Sequence, residues 1–391
     1  MKQRYDSYKP SGIDWIGDIP THWDLRRMRF LCDIITGDKD TVNRVDDGLY
    51  PFYVRSPQIE RINTFSFDGE AVLMAGDGVG AGKVLHYATG KFDFHQRVYN
   101  FHNFRGIKGK LLYRYLKSLF KYKIEEGGAK NTVDSVRQPW LKDFPICIPP
   151  LAEQEAIAAW LDEKCGEIDA AIAKVDREIE LINELKQSEI SRVVTRGLNP
   201  DAPLRPSGIN WIGDIPEHWE IASFKRSIRI NNGCDYKHVV ADEGYPVIGS
   251  GGQFAYATGY LYDGEVLLLG RKGTIDRPMY FVGKFWTVDT MFYAVPNKDI
   301  CCKYMYYQAL GFPFDYYSTS TALPSMAAND LANNPIAVPP LSEQQAIADY
   351  LDKKCADMDG LKAKLTKKRE TLKELRQSII SEVVTGKRKV I

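Results

Sequence analysis

The glycine-rich segment at residues 76–83, GDGVGAGK, has the composition of a loop that cradles phosphate groups. A P-loop requires glycine six residues before its lysine and Ser or Thr directly after the lysine. This chain has Asp77 and Val84 at those two positions. The counterpart later in the chain, residues 270–274, reads GRKGT and has lost the pattern. We therefore expect a strand-end loop that faces a partner, and not a cofactor site.

Signatures of catalysis do not occur elsewhere in the sequence. The chain contains no HExxH, no GxSxG, and no Asn-Pro-Pro-Tyr or Asp-Pro-Pro-Tyr as in amino-methyltransferases. Carboxylates such as Asp93 and Asp289 lack a paired acid and lysine for metal-dependent cleavage, and the six histidines are dispersed. The sequence therefore predicts a protein that reads a ligand and catalyses nothing itself.

Two anchor segments occur twice in the chain. Residues 11–23 return at 207–219 with 11 of 13 positions identical, and residues 151–165 return at 341–355 with 10 of 15 identical. The segments between them, 24–144 and 220–334, share little. Two long copies form a tandem pair and not a solenoid, which needs several short repeats. Conserved ends with divergent middles predict two modules on one frame, each reading something different.

The first anchor carries two tryptophans eight residues apart, Trp15 and Trp23 in the first copy, with a proline between them. Such a pair can form an aromatic cage for a ligand, but it more often clamps a chain terminus onto a domain core. We favour the clamp, and we expect His22 and its repeat His218 to be structural.

The second anchor begins a long helix in each copy. Residues 152–195 contain no proline, and their apolar positions recur mostly at intervals of three or four. This spacing predicts a coiled-coil seam, formed by Ile157, Leu161, Cys165, Ile168, Ile172, Val175, Ile179 and Ile182 in the first helix. The seam of the second helix contains Ile347, Leu351, Cys355, Met358, Leu365, Leu372, Ile379 and Val383. The two cysteines are read as small core residues. An antiparallel pair of these helices would hold the two modules apart, whereas packing of each helix on its own domain fits the length poorly.

The variable modules have the pattern of mixed structure with many short strands. Strands are predicted at 71–74, 98–101, 265–269 and 292–295, and short helices at 109–120 and 302–310. A faint correspondence survives between residues 68–70 and 263–265, and between 90–92 and 283–285.

Composition and charge bound the class of protein. The 391 residues are 44% hydrophobic and 26% charged, which is typical of a globular chain of two or three domains. The helical segment 152–195 has eleven acidic and five basic residues, so the remainder, apart from the nearly neutral second helix, is positive. This excess permits a polyanionic partner without establishing one.

Features of secreted and membrane proteins are not found in the sequence. Seven cysteines without a CxxC pair argue against a disulfide framework or a zinc ribbon. There is no apolar leader and no run of 18 apolar residues, which predicts a cytoplasmic protein that does not span a membrane.

The order Trp-Ile-Gly-x-Ile-Pro-x-x-Trp, a variable segment, and Pro-Pro-Leu-x-Glu-Gln-x-x-Ile before a long helix, all repeated, resembles the specificity subunit of type I restriction–modification enzymes. The resemblance covers nearly the whole chain. Residues 271–274 (RKGT) and 284–286 (KFW) also resemble family patterns, whereas residues 76–79 (GDGV) depart from them.

The resemblance implies an α+β protein with an internal pseudo-two-fold repeat. Two mixed α/β target-recognition domains, each reading one half of a bipartite asymmetric DNA site, are separated by a pair of long antiparallel coiled-coil helices. The expected divisions are 1–150 (first target-recognition domain), 151–199 (first spacer helix), 200–340 (second target-recognition domain) and 341–391 (second spacer helix and basic tail).

The resemblance also implies partners. The helices set the length of the unread spacer and dock two modification subunits, which carry S-adenosylmethionine and methylate adenine N6. Motor-nuclease subunits, dependent on ATP and Mg²⁺, join them for cleavage. The partner of this chain is double-stranded DNA, and the chain itself is expected to hold no cofactor, no metal and no catalytic residue.

Base readout uses Arg or Lys on guanine and Asn or Gln on adenine, surrounded by phosphate contacts. The candidate DNA-binding residues in the first module are Arg55, Gln58, Lys83, Gln96, Arg97, Lys130 and Asn131. Those in the second module are Lys237, Ser250, Gln253, Arg271, Lys272, Arg277 and Thr321.

Two other classes of function stay open. The first is an interaction protein that carries two divergent ligand-binding domains on a coiled coil and binds no DNA. The second is a self-sufficient nuclease or methyltransferase with an unrecognised site. Salt-dependent retention on DNA separates the first class from a specificity subunit, and an assay of methyl transfer by the isolated chain tests the second.

Overall fold

The computed structural model describes residues 3–126, 135–314 and 324–390. It divides into two compact units, Met1–Asp176 with Lys367–Ile391, and Arg177–Thr366. Each unit contains one variable module and a segment of each long helix. The division passes through both long helices, and the four-part division of the sequence stays a prediction.

The first unit is built from short strands around two helices. Its strands are β1 (Tyr8–Pro10), β2 (Asp18–Pro20), β3 (Asp24–Arg27), β4 (Asp33–Thr36), β5 (Tyr50–Tyr53), β6 (Glu60–Ile62), β7 (Phe67–Asp68), β8 (Ala71–Ala75), β9 (Leu85–Ala88), β10 (Lys91–Phe94), β11 (Val98–His102) and β12 (Pro145–Ile148). Its short helices are α1 (Gly109–Glu126) and α2 (Gln138–Lys142), with 3-10 turns at Met28–Phe30 and Thr41–Asn43.

Two four-stranded sheets form the centre of the first module, in the orders β6-β5-β10-β7 and β4-β11-β8-β9. All five residues of β8 are buried, because its uninterrupted apolar sequence AVLMA suits a strand covered on both faces. Two-stranded pairs β1-β2 and β12-β3 bring the anchor segments together.

After the first long helix, α3 (Leu151–Arg196), the second unit repeats this scheme. Its strands are β13 (Leu204–Pro206), β14 (Asp214–Pro216), β15 (Glu220–Ser223), β16 (Ile228–Asn232), β17 (Val240–Ala241), β18 (Tyr245–Gly249), β19 (Gly252–Ala257), β20 (Tyr262–Gly270), β21 (Met279–Thr287), β22 (Met291–Pro296) and β23 (Pro335–Val338). Its helices are α4 (Phe224–Ser227), α5 (Cys302–Ala309) and α6 (Ala328–Asn333), followed by the second long helix, α7 (Leu341–Val384).

The second module joins its central strands into one seven-stranded sheet, in the order β16-β22-β20-β21-β18-β19-β17. The pairs β13-β14 and β15-β23 repeat β1-β2 and β12-β3. The four predicted strands and two predicted short helices are all present, and α1 runs six residues beyond its predicted end, to Glu126.

The faint sequence correspondence between the modules is also structural. Asp68 lies opposite Lys91 in the first module, and Asp263 lies opposite Lys284 in the second. The same antiparallel pairing of the same residue types confirms that the two divergent segments share a frame.

The long helices pair in antiparallel register within each unit. In the first unit, Asp169 binds Arg376 (2.8 Å between Oδ1 and Nε) and Asp176 binds Arg369 (3.1 Å between Oδ1 and Nη1). Moving seven residues towards the C-terminus of α3 therefore corresponds to moving seven residues towards the N-terminus of α7.

The same register continues in the second unit. Asn183 accepts a hydrogen bond from Lys362 (2.8 Å), and Asp359 pairs with Lys186 (2.7 Å between Oδ2 and Nζ). This confirms the antiparallel coiled coil that the seam predicts.

Each long helix begins on one module and ends in the core of the other. Ile190, Val193 and Val194 at the end of α3 pack in the core that contains Trp219. Ile379 and Val383, near the end of α7, pack in the core that contains Trp23. The helices end at glycines with left-handed backbone, Gly197 (φ 73°) and Gly386 (φ 73°), as helix termini commonly do.

The seam cysteines are buried among apolar side chains. Cys165 is 2% exposed and Cys355 is 8% exposed. Both therefore fill core space, as predicted. Among the described residues, no helix is long and apolar enough to cross a membrane.

Candidate nucleic-acid interface

The repeated anchors of the sequence meet at a glutamate. Glu153 accepts hydrogen bonds from Trp23 Nε1 (3.1 Å) and from the hydroxyl of Tyr5, and its Oε2 lies 2.9 Å from His22 Nε2. In the second copy, Glu343 accepts from Trp219 Nε1 (3.0 Å) and lies 2.7 Å from His218 Nε2. The fully buried Trp23 and Trp219 therefore clamp the start of each module onto its helix, as predicted, whereas Trp211, the first tryptophan of the second pair, is 43% exposed.

The glutamine beside each glutamate ties the helix to the module. Gln154 donates to the carbonyls of Pro149 and Gly106 (2.9 Å each) and accepts from the backbone N–H of Lys108, directly before α1. Gln344 donates to Pro339 (2.9 Å) and accepts from the N–H of Cys301, directly before α5. The anchors are thus a fixed frame on which the variable loops are mounted.

One backbone arrangement recurs at the strand-end loop of both modules. In the first module, the N–H of Gly76 donates to the carbonyl of Arg97 (2.8 Å), and the N–H of Val136 donates to the carbonyl of Gly76 (2.8 Å). Asp77 forms an isolated antiparallel β-bridge with Ser135.

In the second module, the N–H of Arg271 donates to the carbonyl of Thr290 (2.8 Å), and the N–H of Met326 donates to the carbonyl of Arg271 (3.0 Å). Lys272 forms an isolated antiparallel β-bridge with Ser325. The next residue is a left-handed glycine in both, Gly78 (φ 73°) and Gly273 (φ 84°). These hydrogen bonds align Gly76 with Arg271, Asp77 with Lys272 and Arg97 with Thr290.

A fourth pair of residues lies beside the left-handed glycines of these two loops. The Arg55 guanidinium lies beside Gly78, and the Ser250 hydroxyl lies beside Gly273. We call these four positions the variable corner. Its residues are Arg55, Gly76, Asp77 and Arg97 in the first module, and Ser250, Arg271, Lys272 and Thr290 in the second. The backbone hydrogen bonds that align the two modules are retained, while the residue type differs at all four positions.

The variable corner of the first module is an ion-pair cluster. Asp77 Oδ1 lies 2.9 Å from Arg55 Nη1, and Asp77 Oδ2 lies 3.6 Å from Arg97 Nε. The side chain of Asp77 is 23% exposed, whereas those of Arg55 and Arg97 are 44% and 66% exposed. Two accessible guanidinium groups therefore flank one largely covered carboxylate.

His95 lies two residues before Arg97 in the chain and is 2% exposed. Burial lowers the pKa of His95 below its ordinary value, and the charge of Arg55 lowers it further. The imidazole is therefore neutral at pH 7, so the positive charge of this corner comes from its arginines.

The variable corner of the second module presents its cations differently. Arg271 Nη1 donates to the carbonyl of Asp289 (3.3 Å), and its guanidinium lies 5.9 Å from the ring centre of Phe292. Lys272 is exposed. The planar guanidinium group of Arg271 is therefore held by two contacts, whereas the ammonium group of Lys272 is a point charge at the end of a flexible side chain.

The structure brings five of the predicted site residues into the variable corner: Arg55, Arg97, Ser250, Arg271 and Lys272. Gln96 adjoins it, with its side chain donating to Asp40 (2.7 Å). The others lie on neighbouring or separate segments: Gln58 after β5, Lys83 before β9, Lys237 after β16, Gln253 on β19, and Arg277 between β20 and β21. Lys130, Asn131 and Thr321 lie outside the described residues.

Sequence reasoning missed Asp77 and Thr290 as members of the site. The loop of Asp77 is expected to face a partner, but the signal that assigns Asp77 itself to the site is its neighbour Gly78, which matches Gly273. Aligning the modules on those glycines places Asp77 over Lys272. In the described part of the chain, no group of three or more His, Cys, Asp or Glu side chains is arranged to hold a metal ion.

Comparison with known proteins assigns the family. A family model for the type I restriction modification DNA specificity domain matches residues 20–186 and again residues 216–369. The two matches cover most of the chain, one for each copy of the repeat. The chain belongs to the type I restriction–modification DNA specificity family.

Two relatives match along most of their length. The type I restriction enzyme EcoDI specificity subunit of Escherichia coli is 24% identical over 409 residues, which cover 95% of this chain and 89% of that protein. The type I restriction enzyme MjaVIII specificity subunit of Methanocaldococcus jannaschii is 22% identical over 422 residues, which cover 95% and 94%.

A solved structure from work on complex assembly and conformational transition of the type I R-M system is similar in fold. It has a TM-score of 0.73 at 15% identity and covers 94% of this chain and 98% of that chain. The shared fold therefore covers nearly the whole length of the chain.

Proposed function

We propose that this chain is the sequence-reading subunit of a type I restriction–modification complex in the cytoplasm, and that it is not itself catalytic. Each module reads one half of a bipartite asymmetric site in double-stranded DNA. The observation that carries the proposal is the variable corner, where one backbone holds two unrelated sets of side chains. A frame that exchanges its accessible side chains and keeps its backbone suits a reader whose target changes.

The chemistry of the variable corner fits DNA. Arg271 offers the planar fork of donors that matches guanine O6 and N7, and Lys272 suits a phosphate. Arg55 and Arg97 supply the same donor type in the first module. Of the remaining candidates, Gln58, Gln96, Asn131 and Gln253 have the amide groups suited to adenine.

The rest of the complex supplies the reaction. The long helices set the length of the unread spacer and dock two modification subunits, which bind S-adenosylmethionine and methylate adenine N6. Motor-nuclease subunits that use ATP and Mg²⁺ complete the complex for cleavage. This chain contributes recognition and geometry and binds none of these cofactors.

Binding of a labelled duplex by the chain with its modification partner tests the proposal. Phosphate contacts release counterions, so the affinity should fall on the order of a thousandfold between 50 and 200 mM salt. Single-base variants of the target should bind about five- to a hundredfold more weakly. Retention that ignores salt and sequence would contradict the proposal and favour the non-DNA interaction protein. Methyl transfer by the isolated chain would favour a self-sufficient methyltransferase.

A further inference from the structure

Asp77 is a negative charge in the middle of a surface assigned to a polyanion. Its carboxylate lies 2.9 Å from Arg55 and 3.6 Å from Arg97, with one oxygen directed to each. The equivalent residue of the second module is Lys272, which forms the equivalent isolated β-bridge and also lies directly before a left-handed glycine. The fold therefore accepts either charge at this position, so the carboxylate is not a requirement of the frame.

We propose that Asp77 is a positioning residue, which fixes the guanidinium groups of Arg55 and Arg97 for base reading by the first module. The proposal rests on the proposed function of the modules as DNA readers. Each guanidinium carries five N–H donors. Pairing with one carboxylate oxygen thus leaves most of them for DNA.

Holding the guanidinium groups in place has a physical advantage. A long side chain that is already oriented loses less conformational freedom when it binds, and its planar donors face a defined base edge. Exposed ion pairs of this kind contribute little to folding. The effect of Asp77 is therefore expected in recognition and not in stability.

Charge and positioning predict different results. If Asp77 acts only through its charge, removing that charge lessens repulsion of the phosphates and strengthens binding to all sequences alike. If Asp77 positions the arginines, removing it weakens the discrimination between the correct base and its variants. Discrimination is the ratio of the Kd for a single-base variant to the Kd for the target duplex.

The experiment measures this ratio for the full chain with its modification partner, on duplexes altered at each base of the half-site read by the first module. We expect Asp77→Asn to lower the ratio about tenfold at one or two positions and to leave the other half-site unchanged. Asp77→Glu keeps a carboxylate and should retain most of the discrimination. At the base read by Arg55, Arg55→Ala combined with Asp77→Asn should lose no more discrimination than Arg55→Ala alone, because Asp77 acts there only through Arg55.

Asp46→Asn is the matched control. It removes the same charge from the same module, at a carboxylate that is 90% exposed and 3.6 Å from Arg44. Its ratio should equal that of the wild type. The thermal unfolding temperature of each variant checks that the chain is folded.

The outcomes separate this inference from the function on which it rests. A wild-type chain that discriminates, together with an Asp77→Asn variant that discriminates equally well, overturns the positioning role alone. Asp77→Glu as damaging as Asp77→Asn also overturns it, because the carboxylate would then not be the cause. A wild-type chain without discrimination at any base overturns the proposed function and the inference with it.

Discussion

At the scale of single residues, Glu153 and Glu343 make equivalent contacts in unequal surroundings. The side chain of Glu153 is 7% exposed and holds Tyr5, His22 and Trp23, whereas that of Glu343 is 41% exposed. Removing an acceptor leaves its buried donors unsatisfied, and water replaces it only where water has access. Burial and the hydrogen bond to Glu153 also raise the pKa of Tyr5, which keeps its hydroxyl protonated.

We therefore expect Glu153→Ala to lower the free energy of unfolding of its unit by about 1–3 kcal/mol. Glu343→Ala should cost less, because its side chain is 41% exposed and water can take the place of the carboxylate. Urea unfolding followed by tryptophan fluorescence measures both, with Glu155→Ala, at an exposed position of the same helix turn, as the control. Equal losses for Glu153→Ala and Glu343→Ala would show that burial does not set the strength of the clamp.

Arg271 and Lys272 are adjacent but are expected to act differently on DNA. Arg271→Ala should cost about 1–3 kcal/mol at one base of the second half-site only, because a bidentate guanidinium contact is lost. Lys272→Ala should weaken all sequences alike and reduce the slope of log affinity against log salt by about one. Binding of single-base variants at several salt concentrations measures both effects. Wild-type affinity and selectivity in both variants would remove this loop from the interface.

Part of the variable corner could be predicted from sequence. Arg271 and Lys272 can be predicted because they lie between two glycines at the end of a predicted strand. Asp77 cannot be predicted, because its role depends on Arg55 and Arg97, 22 residues before it and 20 after it in the chain. Such a cluster exists only once the strands are paired, and no local pattern encodes it.

At the scale of elements, the proposed function assigns the paired long helices the role of setting the spacer length. Deleting residues 172–178 removes about 10 Å of helix and nearly two full turns, so the seam keeps its direction. If the helices set the distance between half-sites, the preferred spacer should shift or methylation should be lost. Methylation of a set of duplexes that differ only in spacer length measures this.

The antiparallel register provides the matched variant. Residues 367–373 of α7 lie opposite 172–178, because Asp169 pairs with Arg376 and Asp176 with Arg369. Deleting both segments keeps the remaining pairs aligned and should shorten the spacer with better retained activity. An unchanged spacer with full activity in either variant would contradict this role of the helices.

The long helices and the central strands are the elements that sequence specifies best. The spacing of apolar residues along the seam predicts a buried helix face, and the apolar run AVLMA predicts a buried strand. Both patterns lie within one short segment of sequence. The division of the first module into two four-stranded sheets and the joining of the second into one seven-stranded sheet were not predicted. Which strands become neighbours depends on pairing between distant segments, which neither periodicity nor turn residues report.

At the scale of the whole molecule, the repeated anchors predict that modules can be exchanged. The contacts of Glu153 and Gln154 lie outside or at the border of the variable segment, except for those of Gly106 and Lys108, which are made through the backbone. Replacing residues 24–144 with the equivalent segment of another family member should therefore change one half-site and preserve the other. Mapping the methylated motif of the hybrid measures this, and a change in both half-sites would contradict two independent readers.

The central claim is that this one chain determines a two-part DNA target. Mapping methylated adenines across the DNA of a host that carries this chain and its modification partner tests it most directly, with a host lacking only this chain as the control. We predict one asymmetric motif, made of two short specific parts separated by a spacer of fixed length and unrestricted sequence, and its loss when the chain is absent. A continuous motif without a spacer, or the same methylation in the control host, would contradict the account.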